Sequence, residues 1–348
     1  MGIFCKICVV NPPNNVFIPG NFVTGTIDYS FDSNTVVKRI QLSLKGSGYL
    51  ETSEHRDGKE STTTTTEKYV DIQTSVLNEY GKEQFVNQHY KTPFNFRLPE
   101  NIPGSLKYLK EIGIKLKCVI AYYIKIKFEI SGFLKFDKKF EKEIKVVPVL
   151  TPKLSMEPVI YGERKQFFQP FKTNKGILHL KACIKCSVLE PGATVEIAYE
   201  LQNNTNKTIE AIETKLVSIY KFYYSEKSHI KKLVNIQNTD SKTTAVKIGE
   251  TSESTLEIEI PSDLYCIDDS KLVSREYVVT MTVCVPVPHK NMQLDIPIQV
   301  GKTIIDTKSE SEKNITEQES PPSYWEAMNV CDDKSTSSDD VFFPDGKK

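Results

Sequence analysis

Residues 114–130 read "IKLKCVIAYYIKIKFEI". Ile114, Leu116, Cys118, Ile120, Tyr122, Ile124, Ile126, Phe128 and Ile130 occupy every second position, with Lys115, Lys117, Lys125, Lys127 and Glu129 between them. A helix would repeat its apolar positions every 3.6 residues, whereas strict alternation sends the two sets of side chains to opposite faces of a strand. A strand this long with one apolar face is stable only when that face is covered by a second layer. Shorter alternating runs lie at 22–31, 36–44, 94–98 and 256–260, separated by clusters of Pro, Gly, Asn and Ser. The fold class expected is therefore all-β, built as sandwiches. One helical turn is expected near "SLKYLKEI" (105–112), and "ESTTTTTEK" (60–68) reads as a flexible hairpin loop.

The pattern occurs twice. "FIPGNFVTGTIDYSF" enters a strand through Pro19-Gly20, and "LEPGATVEIAYELQN" does so through Pro191-Gly192. Aligning the two pairs sets Val23 on Val195, Ile27 on Tyr199 and Tyr29 on Leu201. Further on, a strand stops at Leu98-Pro99 in one half and at Ile260-Pro261 in the other, and a long strand follows each. Each half then closes on an apolar-Pro-apolar triplet, Val147-Pro148-Val149 or Ile296-Pro297-Ile298. Proline has no ladder donor, so these two belong at strand ends or edges. Two similar sandwiches joined near "VPVLTPKLSMEP" account for the order, and 348 residues suffice for both.

Composition removes several classes of function. Lys plus Arg and Asp plus Glu both total 45, so no global field steers the chain to nucleic acid or to an anionic membrane. The most apolar run, from Tyr277, carries prolines and is too short to span a bilayer. The N-terminus lacks the marks of a secretory signal, and Lys6 stands where a myristoylation motif has Ser or Thr. Cys5/Cys8 and Cys183/Cys186 have zinc-ribbon spacing, but each pair sits in a strand-like run, where residues three apart face opposite ways. Core thiols of a reducing compartment are expected instead, with no metal and no cofactor. In that compartment the sequons at Asn203, Asn206 and Asn314 go unused. There is no H-E-x-x-H, phosphate-cradling glycine loop or G-x-S-x-G elbow, and no enzymatic activity is expected.

From Lys302 the composition changes. The segment 302–348 carries eleven Asp or Glu against six Lys or Arg, is rich in Ser and Thr, and is expected to be disordered. It nevertheless holds Trp325, the chain's one tryptophan, beside Pro321-Pro322-Ser323-Tyr324. That P-P-x-Y pattern is what WW domains read. The prolines pre-set a polyproline II helix of three residues per turn, which presents Pro321 and Tyr324 from one side. "STSSDD" (335–340) is a candidate phosphorylation stretch.

The order Pro-Gly strand, Leu-Pro turn, long strand, second Pro-Gly strand and "IPIQVG", followed by PPSY, resembles the alpha-arrestins, or arrestin domain-containing proteins. The resemblance covers about residues 1–301 plus the tail motif. It implies an arrestin-like N-domain at 1–148, a linker at 149–175, an arrestin-like C-domain at 176–301 and a tail at 302–348. It further implies a non-enzymatic adaptor whose body binds cytoplasmic tails of membrane proteins. Pro321, Pro322 and Tyr324 would recruit a WW-domain HECT-type ubiquitin ligase, from a cytosolic pool drawn to plasma membrane and endosomes. Many relatives carry two PPxY motifs where this chain has one. The charged polar core of visual and beta arrestins does not map onto it, so phosphate-triggered activation is not implied.

Residues 105–147 hold eleven lysines against five acidic residues. By analogy with relatives, Lys125 and Lys127 mark a candidate groove for acidic or phosphorylated cargo. They read equally as a solvated sheet face or as edge lysines that block aggregation. Two other functions fit the resemblance: a ligase-independent sorting scaffold like retromer's arrestin-shaped subunit, and a thioredoxin-trapping redox binder. The second needs an exposed thiol of low pKa, and Cys266 lies beside Asp268 and Asp269, the wrong electrostatics for one.

Overall fold

A computed structural model of the chain describes residues 2–303 apart from 33–34, 57–58, 77–82, 86–88, 111–114, 131–136, 168–175 and 226–227. The first sandwich contains β1 (Ile3–Val9), β2 (Val16–Phe17), β3 (Phe22–Phe31), β4 (Thr35–Arg56), β5 (Lys59–Ser75), β6 (Glu83–Phe85), β7 (His89–Arg97), β8 (Leu106–Lys110), β9 (Lys115–Ile130) and β10 (Lys138–Val146). One sheet has the order β1-β3-β7; the other runs β2-β10-β9-β4-β5, with β6 on β4 and β8 on β9. β11 (Val149–Leu150) leads to the second sandwich: β12 (Val159–Phe167), β13 (Gly176–Ile184), β14 (Val188–Leu189), β15 (Thr194–Asn204), β16 (Ala211–Ser225), β17 (Ser228–Asn235), β18 (Ser241–Lys242), β19 (Thr251–Glu259), β20 (Val273–Cys284) and β21 (Met292–Val300). Its sheets are β12-β13-β15-β19 and β14-β21-β20-β16-β17, with β18 on β16. β22 (Lys302–Thr303) pairs in parallel with β11.

The alternation in β9 becomes its burial pattern. Every even-numbered residue from Leu116 to Ile130 is buried, and the intervening lysines face outward. β9 lies between β10 and β4, and its buried face meets Val23, Ile27, Tyr29 and Phe31 of β3 in one apolar cluster. A second cluster fills the other sandwich from Leu178, Leu180, Ile197, Leu201, Val279, Met281 and Ile296.

The two halves share more than their order. Gly20 and Gly192 take φ of +85° and +88°, a left-handed conformation that glycine adopts without steric cost. Gly20 N donates to Leu98 O at 3.2 Å, and Gly192 N donates to Ile260 O at 3.0 Å. Each bond is returned one residue on, from Leu98 N to Asn21 O and from Ile260 N to Ala193 O, both at 2.9 Å. The Pro-Gly turn is thus tied to the strand stopped by Leu98-Pro99 or Ile260-Pro261, in both domains alike. The aligned residues Val23 and Val195, Ile27 and Tyr199, Tyr29 and Leu201 are all buried.

Several expectations are corrected. "SLKYLKEI" supplies not a helical turn but β8, which pairs antiparallel with β9 from Leu106↔Ile120 to Lys110↔Leu116. The open edge of a long strand outcompetes one helical turn, whose nucleation is unfavourable. Residues 60–68 are not a loop; they lie in β5, in register with β4 at Thr52↔Thr63 and Glu51↔Thr64. A run of β-branched threonines fits a pleated surface, and Ser53 and Thr62 share a hydroxyl–hydroxyl bond of 2.9 Å. Residues 149–175, expected as linker, include β12, the edge of the four-stranded sheet, whose apolar alternation is diluted by "GERKQ". Thr303, placed by composition at the start of the tail, is buried in β22. Cys186 lies just beyond β13 rather than in it. Pro297 sits inside β21, opposite Val278; β14 pairs only with Gln299 and Val300 on the far side, so the missing donor falls on an open edge.

Candidate functional site

The lysines of β9 and β10 belong to the outer face of the large N-terminal sheet. Lys127 is level with Gln41 of β4 and Lys139 of β10, and Lys125 is level with Ser43 and Glu141. With Lys45, these residues line a depression of about 640 Å³. The structure therefore brings Lys125 and Lys127 together, but each with a carboxylate. Lys125 Nζ is 2.7 Å from Glu141 Oε2 and lies 4.7 Å from the Tyr123 ring centroid. Lys127 Nζ bridges Glu129 at 2.8 Å and Asp137 at 2.9 Å, and these two carboxylates push its pKa up. Lys107 is paired with Glu143 at 2.8 Å. At the hairpin edge, Lys68, Gln73 and Lys45 gather on Asp71 and hold its carboxyl down at about 2. The face is a lattice of alternating charge rather than a field of bare cations.

A second constellation joins the two sandwiches. Glu67 of β5 accepts hydrogen bonds on Oε2 from Tyr69 Oη at 2.8 Å, Ser270 Oγ at 3.1 Å and Lys271 N at 2.9 Å. Tyr265 Oη donates to Ser105 O, and Tyr122 Oη donates to Pro103 O at 2.6 Å in the same region. Phe222, Tyr265, Ile267, Leu272 and Val273, all from the second half, are buried in the apolar cluster of the first. Tyr108 of β8 meets the rings of Tyr220 and Phe222 at 4.9 and 4.8 Å. Leu272 covers Gly48, where an added Cβ would lie 2.8 Å from its Cδ1. The seam is apolar, continuous with the core, and fringed by side-chain hydrogen bonds.

At this seam sits a residue that the sequence reading missed. Arg275 of β20 is buried, between Val273 and Tyr277 on the inward-facing phase of the strand. Its Nε donates to Tyr265 O at 2.8 Å, and its guanidinium lies 4.4 Å from the Tyr265 ring, with Tyr277 and Tyr220 at 5.7 and 5.9 Å. The signal was there in "VSREYVV", where an arginine takes an apolar position of an alternating strand.

The thiols do not converge. Cys5 and Cys8 pair with Tyr29 and Thr26 on opposite faces, and among the described residues no group of three or more His, Cys, Asp or Glu is placed to hold a metal. Burial pushes Cys118 up to about 12, and burial pushes Cys266 and Cys5 up to about 11. Pro321, Pro322, Ser323 and Tyr324 lie outside the described residues, as does the whole of 304–348, within the tail expected to be disordered. Among the described residues no helix is long and apolar enough to cross a membrane.

Tandem sandwiches entered by matching Pro-Gly turns and fused along an apolar seam define an arrestin-type body. The family model "Arrestin (or S-antigen), N-terminal domain" matches residues 6–152, and "Arrestin (or S-antigen), C-terminal domain" matches residues 174–304. The chain belongs to the arrestin family. No curated protein matches it. Arrestin domains imply an adaptor or trafficking role through binding other proteins such as membrane-protein cargo, and family members are generally non-enzymatic scaffolds.

Proposed function

We propose that the chain is an alpha-arrestin: a non-enzymatic adaptor that binds membrane-protein cargo through its body and recruits a WW-domain HECT-type ubiquitin ligase through Pro321, Pro322 and Tyr324. The observation that carries this reading is the PPSY motif placed after two arrestin domains. Its outcome is cargo ubiquitination, endocytosis and protein transport, by a cytosolic protein that visits plasma membrane and endosomes. Lys125 and Lys127 enter as a cargo-contacting face in which both cations are halves of ion pairs. An acidic cargo tail binds there by displacing Glu141, Glu129 and Asp137. The thioredoxin-trapping alternative needs an exposed thiol of low pKa, and burial holds Cys118, Cys266 and Cys5 away from the thiolate.

The test is Tyr324→Ala in the full chain. One PPxY motif binds a WW domain at about micromolar Kd, about −8 kcal/mol. Removing a hot-spot aromatic costs about 2 kcal/mol, close to thirtyfold. Loss of WW-domain binding and of ligase co-purification, with an unchanged circular dichroism spectrum, is expected. Undiminished binding by the variant overturns the assignment.

A further inference from the structure

A strand at the end of a sheet offers a row of unpaired backbone N–H and C=O groups to whatever can lie beside it. β12 and β19 are the two ends of the small sheet of the second sandwich. β12 is tied to the turn before β21: Lys165 Nζ donates to Lys290 O at 2.6 Å and to Asn291 O at 3.0 Å, and the Phe167 ring meets that of His289 at 4.8 Å. β19 has no such cover. Among the described residues its nine positions, Thr251–Glu259, pair with β15 alone, and Leu256, on the inward phase, is only partly buried.

The outward phase of β19 selects the neighbour. Glu253 stands directly opposite Glu200 of β15, and Glu257 directly opposite Glu196. Like charges so placed repel. One cation serves each pair from the β13 side: Lys181 is level with Glu200, and Lys185 is ion-paired with Glu196. Across the sheet the charges therefore run cation, carboxylate, carboxylate, and the surplus carboxylate is the one on β19. A cation beyond β19 completes both rows. Between the rows a shallow depression of about 430 Å³ lies over Cys183, Ala198 and Thr255, beside Lys181, Glu200 and Glu253. We propose that β19 is a docking edge for an extended cationic segment of another protein, which joins the sheet as a further strand and sets Lys or Arg opposite Glu253 and Glu257. Side chains at every second position share a face, so cations four residues apart meet the two carboxylates. The residue midway lies opposite Thr255, where a long side chain lays its stem over Ala198 in the depression. Residues of the other phase are apolar and cover Leu256. Backbone bonds to the edge supply affinity, and the cations supply specificity. The same carboxylates repel nucleic acid, an anionic membrane and a second β19.

The experiment is a calorimetric titration of the full chain with a short peptide of alternating Lys and Val. Saturable binding that weakens as salt is raised is expected. Glu253→Gln together with Glu257→Gln should weaken it about five- to tenfold, the worth of two exposed charge pairs. The melting temperature should not fall, because the substitutions remove like-charge contacts. N-methylation separates strand addition from charge attraction, since only alternate amides of an added strand face the edge. Methylating one alternate set should abolish binding, and methylating the other should spare it. A peptide of the same composition with its lysines in one block should bind at least about tenfold more weakly, since its cations no longer share a face. No saturable binding, undiminished binding by the double variant, or equal binding by the block peptide or by both methylated forms overturns the inference. So does a concentration-dependent dimer of the unsubstituted chain that the double substitution abolishes, which gives the edge to a second copy. None of these outcomes involves Tyr324, so this edge and the ligase reading stand or fall separately.

Discussion

At Gly192 the chain turns with φ of +88°, and an added Cβ would meet nothing nearer than Ser262 Cβ at 3.9 Å. The penalty for a side chain there is conformational rather than steric. Gly192→Ala is expected to destabilise the protein by about 1–2 kcal/mol, the cost of a left-handed L-residue. It should lower the urea midpoint while leaving the m-value unchanged; an unshifted midpoint would show that the turn is not held in this conformation. Gly20, its counterpart, has the same φ but has Glu100 Cγ 3.3 Å from the added atom, so Gly192 is the cleaner probe. These glycines were legible in the sequence because a tight turn into a strand leaves few residue types available. Arg275 was not legible as a buried cation at the seam. Alternation shows that it points inward, but its tyrosine surround is assembled from Tyr220 and Tyr265 on other segments.

Among the elements, β5 departs furthest from its expected form. Read as part loop, it is a strand from Lys59 to Ser75 that runs beside β4 and carries Glu67 and Tyr69 to the second sandwich. Its threonines say loop to a composition rule and strand to a propensity rule, and a committed partner strand decides for the second. The contact it makes is invisible locally, since Glu67 and Ser270 lie in different domains. Glu67 collects three donors on one oxygen, so Glu67→Ala leaves Lys271 N without this acceptor and leaves Tyr69 Oη and Ser270 Oγ only the 2.9 Å hydrogen bond to each other. A loss of about 1–3 kcal/mol is expected. Ser270→Ala alone should cost less, because Tyr69 Oη and Lys271 N still reach Glu67. A double-mutant cycle of the two in urea unfolding should give a coupling of about 0.5–3 kcal/mol. Additivity within error would mean that the hairpin and the Ser270 segment meet without helping each other.

On the scale of the whole molecule, two domains legible as separate repeats prove to share a core. Alternation and turn chemistry mark each sandwich, but they say nothing of what lies between, because seam residues are apolar for the same reason as any core residue. Phe222 shows the difference. It belongs to β16 of the second sandwich, has no exposed surface, and is buried in the cluster of the first, against Tyr108 of β8. Tyr220 stacks parallel to it at 5.7 Å and meets the same tyrosine. Domains joined by a small polar interface unfold separately; domains joined through a buried aromatic cluster lose apolar contacts on both sides when either one opens. Scanning calorimetry is therefore expected to show one transition, with calorimetric and van't Hoff enthalpies equal. Phe222→Ala empties a fully buried site, so it should cost about 3–5 kcal/mol and divide the melt into two. Amide exchange at Tyr108 and Leu106 would then accelerate along with that of β16, although the substitution lies in the other domain. Two transitions already in the unsubstituted protein would show that the seam does not couple the sandwiches. A coupled body suits an adaptor that presents cargo at a fixed geometry, and on the proposed function the same variant separates that demand from recruitment: cargo binding should weaken while any WW-domain binding through Tyr324 is unchanged.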